Sequence, residues 1–206
     1  MLPGQPEPVP LPGNAAVDAA IIGEGFADLA AARRLRQIDP ALPVAELAAS
    51  RLAEGASGRN SGFMTDLPHE LTSDDYSGHG DDRAMIALNR HAIAFAQAAD
   101  DDYGINRNFF DPVGKINGAA SPTADALNRS CAQHLSGLGE ANEFLDAQAM
   151  TTATGSRHYL SGGYTPGTVM LQAAGFIRGF GEGLRASGVG IWENTPVIAF
   201  ARSSTG

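Results

Sequence analysis

Gly23 and Gly25, in "DAAIIGEGFADLAAARRL" (residues 18–35), are spaced so that the chain can present main-chain N–H groups to an anion. Gly23 can make a tight turn after the apolar run. Gly25 lets a phosphate approach the backbone, and the segment beyond it opens as a helix whose first N–H groups have no internal partner. This is the chemistry that holds the pyrophosphate of a dinucleotide. An ordinary βα turn with glycine at a φ > 0 corner uses the same residues. The third glycine of the usual pattern is replaced by Asp28. A carboxylate there suits the helix dipole, but it repels a pyrophosphate and competes for the same N–H groups. The acid expected about 20 residues further on, which holds ribose hydroxyls, is also displaced. In "PVAELAASR" the strand ends near Ala48, and Glu46 comes two residues early. That shift keeps the side chain on one strand face but moves it about 6–7 Å along the strand.

A strand, a helix and a second strand must position these groups. "VDAAII" (17–22) reads as a short strand buried on both faces. Residues 26–38 read as a helix: Ala and Leu are strong helix formers, and Arg33, Arg34 and Arg36 lie toward its C-terminal end. Asp39-Pro40 stops it. "LPVAELAAS" (42–50) is the next strand, and the three form a βαβ unit. Further on, the pattern predicts a helix from Arg83 to Asp100, short paired strands over 106–118, and a helix over 121–147. A turn-rich stretch over 157–172 precedes a helix over 170–187 and a final strand over 196–201.

A second cluster of small and polar residues, "GASGRNSGF" (55–63), follows the second strand as a loop leading into a helix. Its small residues allow close backbone approach, Ser57 and Ser61 supply hydroxyls, and Arg59 can neutralise phosphate charge. A solvated Ser/Gly helix cap has the same composition. With the Gly23-x-Gly25 turn upstream, this segment resembles the DAO type of flavin-dependent amino-acid and amine oxidoreductases, the group of glycine oxidase and sarcosine oxidase. The stretch "SGGYTPGTVMLQAAGFIRGFGEGLRASGVGIWENTPVIAFAR" (161–202) is similar to that family's return from its substrate domain.

The resemblance implies an α/β, Rossmann-like FAD-binding domain and part of an α+β substrate domain. Outside that resemblance, the Pro/Gly content of residues 1–16 reads as a flexible, extended leader. Residues 17–66 would be the FAD-binding βαβ unit with its Gly/Ser-rich loop, 67–165 an insertion carrying part of the substrate domain, and 166–206 the return. The implied cofactor is FAD. The implied contacts are Gly23, Gly25 and Phe26 at the turn, and Ala48 and Arg51 beside the adenosine. Ala56, Ser57, Gly58, Arg59, Asn60, Ser61 and Gly62 follow along the flavin, with Val197 contributing its backbone. The implied reaction oxidises the C–N bond of an amino acid or amine by hydride transfer to flavin N5. No side chain can be named a catalytic base. Family members continue beyond residue 202, so the chain is expected to end in mid-domain. Exposed edge strands and marginal stability follow from that, or dependence on a homo-oligomer or a complementing C-terminal part. A non-catalytic fragment that binds no FAD, and an NAD(P)-binding enzyme, remain the alternatives on the residues alone.

Composition narrows the partners. With 14 basic and 23 acidic residues the formal net charge is −9, opposite to a nucleic-acid surface or one attracted to anionic lipid. No apolar run reaches the length of a membrane span. The single Cys131 fits a reducing cytoplasm and reads as a small core residue. His69, Glu70 and His79, among Asp74, Asp75, Asp81 and Asp82, match no metal-ligand spacing. His158 and Tyr159 suit either a substrate-facing wall or a packed interface.

Overall fold

The computed structural model describes Gly4, residues 6–67 and residues 82–202. In chain order its elements are β1 (Ala19–Ile22), α1 (Phe26–Ile38), β2 (Val44–Leu47), β3 (Phe63–Met64), α2 (Asp82–Tyr103), β4 (Phe110–Asp111) and β5 (Lys115–Ala119). There follow α3 (Pro122–Leu138), β6 (Glu143–Asp146), α4 (Ala147–Thr154), β7 (Ser161–Thr165), β8 (Val169–Leu171), α5 (Ala173–Ala186) and β9 (Gly190–Trp192). Two compact units result. One is drawn from Met1–Gly62, Gln97–Phe110 and Leu171–Gly206, the other from Phe63–Ala96 and Asp111–Met170.

The first unit is built on the βαβ unit read from the sequence. α1 spans the predicted 26–38 and ends where Asp39, before Pro40, turns extended. β1, β2 and β9 form a parallel sheet in the order β1-β2-β9. β2 is therefore central, and Val44, Ala45 and Glu46 are all buried. β1 was expected to be buried on both faces. It lies instead at the sheet edge, so its burial alternates and Ile22 is 61% exposed. The predicted final strand is also corrected. Residues 196–201 form no strand, and the pairing strand lies earlier, with Ala45 opposite Gly190 and Leu47 opposite Trp192. Asn194 has φ 51°, the Thr195 N–H still bonds to the Ala48 carbonyl, and beyond it Ile198 and Phe200 are each 94% exposed.

α5 covers this sheet's helical layer. Phe176 stacks at ring-centroid distances of 6.4 Å from Phe26, 5.8 Å from Phe110 and 5.9 Å from Phe180, and Tyr103 lies 5.7 Å from Phe180. The opposing side chains sit directly on α5 glycines: Phe109 on Gly175, Ile105 on Gly179, Leu52 on Gly181 and Tyr103 on Gly183. Buried Arg33 of α1 is ion-paired with Asp102 at 2.5 Å and lies over the Tyr103 ring. The described leader residues 6–17 form no helix or strand and are bonded to the chain beyond β9. The Val9 carbonyl accepts from the Glu193 N–H at 2.9 Å, and the Leu11 N–H donates to Thr195 Oγ1 at 3.1 Å.

The second unit holds an antiparallel sheet, β5-β7-β6. α3 starts on Ser121, whose Oγ accepts from the Ala124 N–H, with Pro122 following. It ends at Gly139, φ +83°. That stop explains why the predicted helix over 121–147 gives way to β6. β7 lies inside the stretch read as turns. Its Gly162 is required because Met150 packs where a Cβ would project, not because the chain turns there. Cys131 packs against a core of Leu67, Ile86 and Leu135, and burial pushes its thiol up. Tyr159 lies against Gly118 and meets the exposed His158 ring edge-on, with ring centroids 5.4 Å apart.

Candidate functional site

The corner after β1 is made by Gly23, φ +147°, whose N–H donates to the Leu47 carbonyl at 3.1 Å. A Cβ at that position would overlap the Asp28 carboxylate. Gly25 is the N-cap of α1, and the first helical bond runs from the Leu29 N–H to the Gly25 carbonyl. The Gly25 N–H donates to Asp28 Oδ2 at 2.9 Å. The residue standing in for the third glycine therefore folds back over the turn and takes one of its amides.

The Gly/Ser-rich segment arrives at the same place. Ala56–Gly58 form a single 3-10 turn and then the short β3, in place of the expected helix. Ser57 Oγ lies 3.4 Å from the Phe26 nitrogen, and it would stand 2.7 Å from a Cβ added to Gly25. Asn60 closes the segment on itself. Its amide donates to the Ser57 carbonyl at 2.7 Å, and its Oδ1 accepts from the Gly62 N–H at 2.8 Å. Gly62, φ +78°, has no room for a Cβ beside the Leu171 carbonyl. Arg59 and Ser61 are exposed.

Around the end of β2 the expected residues separate. Ala48 is fully buried, its N–H donating to the Trp192 carbonyl and its carbonyl accepting from the Thr195 N–H. Val197 lies two residues beyond that contact, in the extended segment. Arg51 turns to the leader, where its guanidinium donates to the Pro6 carbonyl. Glu46 does not reach the strand end. It pairs in register with Ile21 and Ile191 and is fully buried. Neither carboxylate oxygen has a hydrogen-bonding partner among the described residues. Burial, with the charge of Asp28 adding and that of Arg185 opposing, pushes its carboxyl up to about 8. Glu24, the residue between the two glycines, accepts from Ser50 Oγ at 2.8 Å, and burial raises its carboxyl as well.

A model of FAD dependent oxidoreductases, the DAO family, matches residues 18–206. The chain belongs to the DAO family. Among curated relatives, a probable oxidoreductase, OrdL, of Rhizobium meliloti is 26% identical over 202 residues, which is 91% of this chain and 44% of that protein. Among solved structures, glycine oxidase from Geobacillus kaustophilus superposes with a TM-score of 0.74 at 19% identity, covering 92% of this chain and 50% of that one. An L-amino acid deaminase from Proteus myxofaciens, solved with anthranilate, gives 0.74 at 13%, covering 97% and 43%. This DAO-family chain thus spans about half the length of the relatives it matches, and its α/β fold is that of their FAD-binding part.

The DAO-family corner fits a diphosphate in its main chain. The Gly25 and Phe26 amides of the first turn are the groups that could meet it; Asp28 Oδ2 accepts from the first, and Ser57 Oγ lies 3.4 Å from the second. Asp28 is the group in the way. The conflict at Asp28 and the early position of Glu46 are both legible in the sequence, but the full burial of Glu46 is not, because a carboxylate inside a strand carries no signal of how deeply the strand will be covered. Among the described residues no cluster of His, Cys, Asp and Glu is arranged to hold a metal, and no helix is long and apolar enough to cross a membrane. The His/Asp-rich stretch lies outside the described residues, except for Asp82, whose Oδ2 is 2.9 Å from His134 Nε2.

Proposed function

We propose that this chain is the FAD-binding half of an oxidoreductase that acts on the C–N bond of an amino acid or amine. A bound flavin supplies the hydride acceptor for that oxidation. The chain's own residues bind and orient it. The Gly25 and Phe26 amides and the Ser57 hydroxyl hold the diphosphate. Ala48 marks the strand end that flanks the adenosine, and the exposed Arg59 can neutralise phosphate charge from solvent. The observation that supports this most is the meeting of Ser57 with the Phe26 amide, because it brings two glycine-rich stretches, 31 residues apart, to one helix start. The chain works with a complementing C-terminal part or as a homo-oligomer, on a small substrate in the cytoplasm.

Colour and binding test the reading. Purified protein should carry a flavin absorption band or take up added FAD and gain thermal stability. Asp28→Gly should strengthen FAD binding by about tenfold or more, through release of the Gly25 amide and removal of a like charge. Gly25→Val should abolish binding. Its structural cost is small, since the nearest obstacle is the rotatable Ser57 hydroxyl. Retained affinity in Gly25→Val counts against the site. Protein that neither carries FAD nor gains stability from it favours a non-catalytic remnant, the reading that the Asp28–Gly25 hydrogen bond supports.

A further inference from the structure

Glu46 has no place in the scheme above, yet it is a fully buried carboxyl without a hydrogen-bonding partner among the described residues. It lies on β2 beside Ile21, two residues before the Gly23 corner. The charged groups that act on it are few. Asp28 faces it from α1 and Arg185 from α5, while its strand neighbours in register, Ile21 and Ile191, are apolar. Arg185 gives limited compensation, since its guanidinium already pairs with Glu193 and Glu182, each at 2.6 Å. A diphosphate bound at the α1 start would bring further negative charge to the side of the pair already occupied by Asp28.

Resting on the flavin reading, we propose that Glu46 is the proton store of this corner: a diphosphate binds there only while Glu46 holds a proton, so binding takes up a proton whenever Glu46 is ionised in the free chain. The sign follows from linkage. Glu46 of the free chain loses its proton near pH 8, and a neighbouring anion raises that value further. Affinity is therefore flat below this pH and falls above it. Glu46 touches no ligand. It acts as a positioning residue through the field at the amides.

The test is FAD titration into the full chain, followed by flavin fluorescence and by calorimetry in two buffers of different ionisation enthalpy. From about pH 7 to about pH 9 the dissociation constant should rise about tenfold, with proton uptake approaching one per FAD at the upper end. Glu46→Gln should bind FAD with no such slope. The two-buffer measurement reads the proton directly in the unaltered chain and does not depend on the variant folding. Binding that stays flat to pH 9 without proton uptake, or a slope that persists in Glu46→Gln, overturns the proposal alone. FAD binding by neither the unaltered chain nor Asp28→Gly at any pH overturns the flavin reading, and this proposal with it.

Discussion

Glu46→Leu should make the protein more stable by about 2–4 kcal/mol at pH 8.5, with a smaller gain at pH 5. An elevation of the carboxyl from 4.5 to about 8 corresponds to at most about 5 kcal/mol, and local relaxation reduces it. The direction is fixed by the protonation states. The folded chain binds the Glu46 proton more tightly than the unfolded chain. The stability tied to that proton is complete below the unfolded value and is lost as pH rises through the folded one. Leucine fills a similar volume against Ile21 and Ile191 and leaves no oxygen unpaired. Urea unfolding of both proteins at the two pH values measures the difference. A destabilised variant, or an unchanged pH dependence, would mean that Glu46 has a stabilising partner.

Gly58→Ala should cost about 2–4 kcal/mol and eliminate FAD binding. The new Cβ would overlap the Ala53 carbonyl oxygen and lie 2.6 Å from its carbon. These are backbone atoms of a residue already held at φ 69°, so no side chain can rotate out of the way. The relieving movement opens the turn that closes from the Gly58 N–H to the Gly55 carbonyl and carries Ser57 off the Phe26 amide. Gly55→Ala is the matched control. Its φ is −78°, and its Cβ would meet only Glu24 Oε1, at an ordinary 3.4 Å. Equal stability losses in the two variants would show that loop flexibility, not the overlap, sets the requirement.

What could be read from the chain in advance was what local chemistry determines. The limits of α1 follow from Gly25 and Asp39-Pro40, and the conflict at Asp28 from a carboxylate three residues into a helix. The convergence of Gly25 with Ser57 was implied by the DAO-type resemblance of the two small-residue segments, whose compositions each also suit an ordinary turn or cap. The failures involve partners distant in sequence. Residues 190–192 rather than 196–201 pair with β2, since strand choice depends on which segment reaches the exposed edge first. Gly162 of β7 looked like part of a turn because the demand for it comes from Met150, a residue outside the strand. Arg51 was assigned to a nucleotide, but nothing around it foretold its bond to the leader carbonyl.

The glycines of α5 have a consequence for the order in which this molecule assembles. Gly175, Gly179, Gly181 and Gly183 fall within a helix of 14 residues, and each costs about 1 kcal/mol of helical tendency relative to alanine. Such a segment stays a coil by itself. Its winding depends on Phe109, Ile105, Leu52 and Tyr103 being there to be received, which couples this helix to residues far upstream.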